Sequence, residues 1–294
     1  MAHIVGIHGI GQQFIGAHTL HRTWLPALRD GIAVARRVFP IKADSASTTD
    51  VDADAWDLRI AFYGDLFRPA SGKALGEPPY EATDIESAVE VELLDLLWQE
   101  TVRIEERPDA PPTKVRTPLV AQRALNRLCS SPFFAGIAER ALIADLKQVR
   151  AFLCDATVKE RVLDRVADTV EPDTRVMIGH SLGSVVAYEA LCAHPEWPVR
   201  SLITLGSPLG IPRIVFDRLT PRPVSGRGVH PPSIRHWVNV ADRGDPVALQ
   251  KRLATGFGPG IKDELVHNGA KAHDATPYLT ARETGRAIIA AFLD

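Results

Sequence analysis

The chain reads as an α/β protein: a mostly parallel central sheet covered by helices, with a helical insertion ahead of the strand at Arg175–Ile178. Three observations lead there. Short β-branched runs alternate with runs of helical period near both ends of the chain. The strand-like runs stop at glycines or polar turn residues. Between them, residues 66–170 are helix-patterned outside a Gly/Pro-rich stretch and a proline-broken segment, with no internal repeat or low-complexity tract.

Taken in order, Ala2–Ile10 holds Ile4, Val5 and Ile7, a buried first strand ended by Gly9 and Gly11. Thr19–Phe39 carries Leu20, Trp24, Leu28, Ile32 and Ala35 near helical spacing. Lys42–Ala55 is small, polar and acidic, a surface loop. Trp56–Tyr63 alternates as a second strand, closed by Gly64. Ser71–Pro79 is rich in Gly and Pro. Asp84–Glu105 then repeats Ile85, Val89, Leu93, Leu96 and Leu97 at helical spacing, a stripe that reads, with Trp98, as core. The proline-broken segment RPDAPPTKVRTP follows. Helical pattern resumes over Leu119–Leu128 and from about Phe133 to Val170, interrupted near Thr157. The 66–170 insertion belongs within a single domain spanning 1–294. It has two readings, an ordinary set of sheet-covering helices or a cap over a substrate.

The alternation returns with strands at Arg175–Ile178, Val199–Leu205 and Ile234–Val240, a helix over Leu182–Ala193, a short strand at Glu264–His267 and a closing helix at Thr280–Leu293. Strands separated by helices imply parallel pairing with both faces covered. In such open sheets ligands sit beyond the carboxyl ends of the strands.

Hydrophobic content of 45% and charged content of 24% are those of an ordinary globular chain with a sizeable core. A net charge of −2 argues against a nucleic-acid surface or a polybasic membrane anchor. No apolar run reaches the roughly 18 residues of a membrane span, and the start MAHIVGIHGIG has no signal-peptide pattern. Cys129, Cys154 and Cys192 show no CxxC spacing and suit buried thiols of a reducing compartment, so cytoplasm is the expected location. His18 and His21 lie on the first helix without a third ligand or an HExxH pattern; no metal and no cofactor are expected. Asp65, in FYGDLF, either lines a pocket or caps the segment after it.

The stretch VMIGHSLGSVVA, residues 176–187, carries the chemistry. Gly179 and Gly183 flank Ser181 at two residues on either side, where an apolar strand turns sharply into a helix of small residues. Such a turn lifts the hydroxyl to the end of the sheet and beside the unpaired N–H groups of a helix N-terminus. A serine that only caps the helix accounts for Ser181 but leaves both glycines without a reason.

This G-x-S-x-G in its strand–turn–helix context resembles the nucleophile elbow of the α/β-hydrolase family. The resemblance covers Ala2–Ile10, Trp56–Tyr63 and about Thr174 to the C-terminus, and leaves the helical middle unmatched. It implies an acid and then a base downstream of Ser181. RHWVNVADRGDPVAL offers Asp245, whose D-P-V run resembles the acid turn of lipases and esterases, with Asp242 the alternative and Asp217 a weak third. LVHNGAKAHDATPYLT offers His273, on the loop where the family places its histidine, with His267 the alternative. His230 and His236 read as structural. His8-Gly9-Ile10-Gly11 resembles the HG-containing oxyanion loop of small bacterial lipases, which makes the backbone N–H groups of Ile10 and Leu182 the oxyanion donors and leaves His8 to hold the loop. A phosphate loop is disfavoured, since GIHGIG lacks the following Lys-Ser/Thr.

The implied reaction is hydrolysis of a carboxylic ester, a small-molecule or lipid substrate, through an acyl-enzyme on Ser181. A thioesterase, serine peptidase or acyltransferase would use the same residues. A fold retained as a non-catalytic binding or scaffold module is the alternative of another class. No nucleic-acid partner and no stable membrane insertion are expected.

Overall fold

A computed structural model of the chain describes residues 4–38, 56–68, 80–105, 118–134 and 138–293. The surface loop expected at Lys42–Ala55, the whole Gly/Pro-rich stretch Ser71–Pro79 and most of the proline-broken segment lie outside the described residues.

Six strands, β1 (Ile4–Ile7), β2 (Leu58–Ala61), β3 (Val176–His180), β4 (Ser201–Leu205), β5 (His236–Asp242) and β6 (Ile261–Val266), form one sheet in the order β2-β1-β3-β4-β5-β6. Every neighbouring pair is parallel. The chain starts in the middle, steps to one edge with β2, and returns past β1 to build the rest toward the other edge. The direction of winding therefore reverses between β1 and β3, and in parallel sheets that switch point opens a crevice beyond the strand ends.

Alternate side chains divide the core into two layers. On one face Ile4, Leu58, Ile60, Val176, Ile178, Ile203 and Leu205 pack against α1 (Ala17–Val38), α7 (Ala275–Thr280) and α8 (Arg282–Leu293). On the other, Val5, Ile7, Met177, Leu202 and Trp237 pack beneath α6 (Leu182–Ala193) and the insertion helices α2 (Ala88–Ile104), α3 (Pro118–Cys129), α4 (Glu139–Cys154) and α5 (Ala156–Ala167). Burial of α6 is continuous from Leu182 to Leu191, as its small, apolar sequence demands of a helix between sheet and insertion. The insertion thus shares the main core with the sheet, and Trp98 is buried in it.

Two local signals start helices within the insertion. Ser87 and Glu90 form a reciprocal capping box at the start of α2. Asp155 accepts from the N–H groups of Thr157 and Val158, at 2.9 and 3.2 Å, which starts α5 and supplies the interruption expected near Thr157. Two expected elements shift. The last strand begins at Ile261 rather than Glu264, because its first residues pair with β5 from Trp237 onward. The closing helix, expected from Thr280, begins at Arg282, and a separate short helix over Ala275–Thr280 precedes it; extended backbone at Ala281 (φ −62°, ψ 136°) divides the two. Among the described residues no helix is long and apolar enough to cross a membrane.

Candidate active site

Ser181 sits between β3 and α6, at the switch point, with φ 52° and ψ −129°. A β-carbon disfavours this conformation, and it persists only where the surroundings enforce it. Packing supplies the enforcement. A Cβ on Gly183 would come within 2.2 Å of the Ile7 carbonyl oxygen, and one on Gly179 within 2.5 Å of the Ser184 Cα. Strand, turn and helix therefore approach more closely than any side chain permits. The Ser181 N–H donates to the Leu205 carbonyl at 3.0 Å, and the Ser184 hydroxyl donates to the Ser181 carbonyl at 2.6 Å, which fixes the turn from both sides.

The Ser181 Oγ lies 3.0 Å from His273 Nε2, and His273 Nδ1 lies 2.9 Å from Asp245 Oδ2. These three side chains come from three separate strand ends: after β3, after β6 and after β5. Asp245 is fully buried. Burial alone would raise its pKa, but the charge on His273 and hydrogen bonds from His273, Tyr278 and the Val247 N–H outweigh it and hold the carboxyl below its ordinary value. An ionised Asp245 only accepts, so the His273 Nδ1–H donates to it and the Nε2 lone pair faces the serine hydroxyl. This tautomer is the one that can take the serine proton.

The carboxylate is saturated by donors. Tyr278 Oη–H donates to Asp245 Oδ2 at 2.8 Å and accepts from the Asp242 N–H at 2.8 Å. The Val247 N–H donates to Oδ1 at 2.8 Å. Lys251 Nζ donates to the backbone carbonyl of Asp245. Asp242 acts elsewhere. Its carboxylate accepts from the Gly244 N–H at 2.6 Å and from the Asn268 N–H, tying the β5 turn to the loop after β6. His267, just past β6, is exposed and outside this chain of hydrogen bonds.

The loop after β1 closes over the serine. A Cβ on Gly9 would lie 2.8 Å from the Ser181 Cβ, so only glycine admits this contact. His8 is buried, and burial lowers its pKa to about 4. Its Nε2 accepts from the Tyr63 N–H at 3.2 Å, so the proton is on Nδ1, which donates to the Gly9 carbonyl at 2.6 Å. The Tyr63 hydroxyl donates to the His8 carbonyl at 2.5 Å. A neutral histidine thus bridges β1 and β2 and shapes the loop. Ile10 follows in that loop, and among the described residues its N–H has no hydrogen-bond partner. Leu182, as the first residue of α6, has an N–H that no intrahelical carbonyl can reach.

These groups open into a cavity of about 700 Å³ lined by Ser181, His273, Gly9, Ile10 and Leu182 on the sheet side and by Leu93, Leu97, Leu142, Leu146 and Val149 of the insertion. The insertion therefore both covers the sheet and walls the cavity. Asp65 is not among the lining residues; it pairs with Arg165 at 3.1 Å.

Three positioning groups escaped the sequence. His180 Nε2–H donates to the His273 carbonyl at 2.7 Å and is kept neutral, its pKa lowered to about 3 by burial and then by the charge on His273. Its place beside the serine was a signal. Tyr278 gave none beyond following His273 closely. Gln148 of α4 was hidden in helical pattern: its Oε1 accepts from the Gly11 N–H at 3.4 Å and its amide donates to Gln13 Oε1 at 3.2 Å, binding the β1 loop to the insertion.

Compared with known proteins, the chain matches no family model, no curated protein and no solved structure. The reading of the site rests on its own geometry.

Proposed function

We propose that the chain is a serine hydrolase of the α/β-hydrolase fold that cleaves carboxylic esters through an acyl-enzyme on Ser181. The observation that carries the reading is the unbroken Ser181–His273–Asp245 chain of hydrogen bonds, at 3.0 and 2.9 Å, at the switch point of a parallel sheet. The strand order, with the serine turn and the glycine loop on adjacent strands, supports the fold assignment.

In this mechanism the Ser181 hydroxyl proton passes to His273 Nε2 as Oγ attacks the ester carbonyl carbon. Asp245 stabilises the imidazolium, and the N–H groups of Ile10 and Leu182 receive the oxyanion. The imidazolium protonates the leaving alcohol as the C–O bond breaks. A water then gives its proton to His273, attacks the acyl carbon and releases the acid, returning the proton to Ser181. The apolar cavity walls favour an ester with an aliphatic portion over a peptide, whose backbone would leave polar groups unpaired there.

Turnover of a chain-length series of p-nitrophenyl esters, beside small peptide amides, tests the proposal. Esters are the expected substrates, with kcat/KM falling at least about 10³-fold in Ser181→Ala. Asp245→Asn is expected to lose kcat at nearly constant melting temperature, and Asp242→Ala to lose stability first. Turnover unchanged in Ser181→Ala sinks the proposal.

A further inference from the structure

The insertion helix α4 turns an apolar stripe toward the cavity: Leu142, Leu146 and Val149 all line it. Asp145 breaks that stripe. It lies on the same face, three residues after Leu142 and four before Val149, and it too lines the cavity. Its carboxyl abuts the loop after β1; a Cβ on Gly11 would lie 3.5 Å from Asp145 Oδ1. Gln148, one turn on, spends both ends of its amide on that loop. Asp145 has no hydrogen bond or ion pair with any described residue. The nearby cations of α4 point elsewhere, Lys147 and Arg150 lying 3.7 and 3.0 Å from Glu90.

Nor does the cavity wall neutralise it. None of the described lining residues is Lys or Arg. His8 and His180 are neutral, and both ring nitrogens of His273 are already engaged, with Asp245 and Ser181. A carboxyl facing an apolar cavity without a partner is unfavourable for the fold alone, and burial pushes this one up to about 7 against the opposing pull of His273. A leucine there would continue the stripe. The missing partner has defined chemistry. An anion would meet like charge. A hydroxyl offers a single hydrogen bond. A protonated amine offers several donors and the opposite charge, and restores the ionised carboxylate.

We infer that Asp145 is a specificity group that pairs with a cationic amine of the substrate while the aliphatic remainder packs on Leu142, Leu146 and Val149. This deepens the hydrolase reading and rests on it for the statement that the bound molecule is an ester; the pairing itself is a property of the cavity.

Calorimetric titration with n-hexylammonium and with 1-hexanol, at one ionic strength, tests the pairing without turnover. The wild type is expected to bind the ammonium at least about tenfold more tightly than the alcohol. That preference should vanish in Asp145→Asn and reverse in Asp145→Leu, two variants that remove the cavity-facing carboxylate and keep the helix. Equal binding of the two probes, no binding of the ammonium, or a preference that survives in Asp145→Asn overturns the inference. Fluorophosphonate labelling at Ser181 reads the hydrolase proposal separately. A labelled protein without ammonium preference sinks Asp145 alone; the preference without labelling supports Asp145 and sinks the hydrolase.

Discussion

Ser181 is held in a backbone conformation that glycine tolerates and serine does not, and the cost falls on the fold. Ser181→Ala keeps the strain, whereas Ser181→Gly relieves it. Urea melts are therefore expected to find Ser181→Gly more stable than Ser181→Ala by about 1 kcal/mol, with both inactive; equal stabilities would mean the turn is not strained. Asp145 makes a second prediction at this scale. Its folded-state pKa, about 7, is above that of an unfolded carboxyl. The folded state thus binds the extra proton between about pH 4 and 7, so this group's contribution to stability is present at low pH and lost as pH rises through 7. Asp145→Asn removes the loss. It should gain on the order of 2 kcal/mol over wild type at pH 8, a difference that shrinks toward pH 4; a pH-independent difference would contradict it. Single residues were legible in the sequence where chemistry and punctuation coincide. Ser181 between two glycines, Asp245 before a proline and His273 after a short strand are such places. Asp145 and Gln148 were not, because a polar residue in a helical run reads as solvent-facing until the helix's neighbours are known.

Among the elements, α4 couples most directly to the site. Gln148 holds the Gly11 N–H and the Gln13 side chain, and so sets the path of the loop that carries Ile10. Gln148→Leu preserves α4 and its packing but frees the loop. It is expected to lower kcat about tenfold or more with a small change in melting temperature, since a misplaced oxyanion donor acts on the transition state. Unchanged kcat would mean the loop is fixed by His8 and Tyr63 alone. Strands β1, β3 and β4 were readable because each is a short apolar run with a sharp polar stop. The edge strand β6 was harder: Lys262, Asp263 and Glu264 hide its start, and only pairing with β5 shows that Ile261 belongs to it. The short helix over Ala275–Thr280 was equally silent, because TPYLT, with a proline and two threonines, carries no helical stripe. The two readings of the insertion could not be separated from periodicity, since a helix that covers a sheet and one that walls a cavity bury the same stripe; here the helices do both.

At the scale of the molecule, the sheet order brings four distant pieces of chain to one rim: the loop after β1, the turn after β3, the loop after β5 and the loop after β6. Parallel winding with a reversal between β1 and β3 makes that convergence possible; the parallel pairing could be expected from the alternation of strands and helices, the reversal could not. Nor could which residues touch, because Asp242, at the end of β5, and Asp245, three residues on, are too close in sequence to tell apart, as are His267 and His273 after β6. The central claim is that the converged groups form an acyl-enzyme. Acid-quenched reaction with p-nitrophenyl butyrate, followed by peptide mass spectrometry, tests it most directly. A butyryl group on the peptide containing Ser181, absent in Ser181→Ala and accumulating in step with the p-nitrophenol burst, is the predicted result. Ester turnover with no adduct, or with the adduct on another residue, would contradict it.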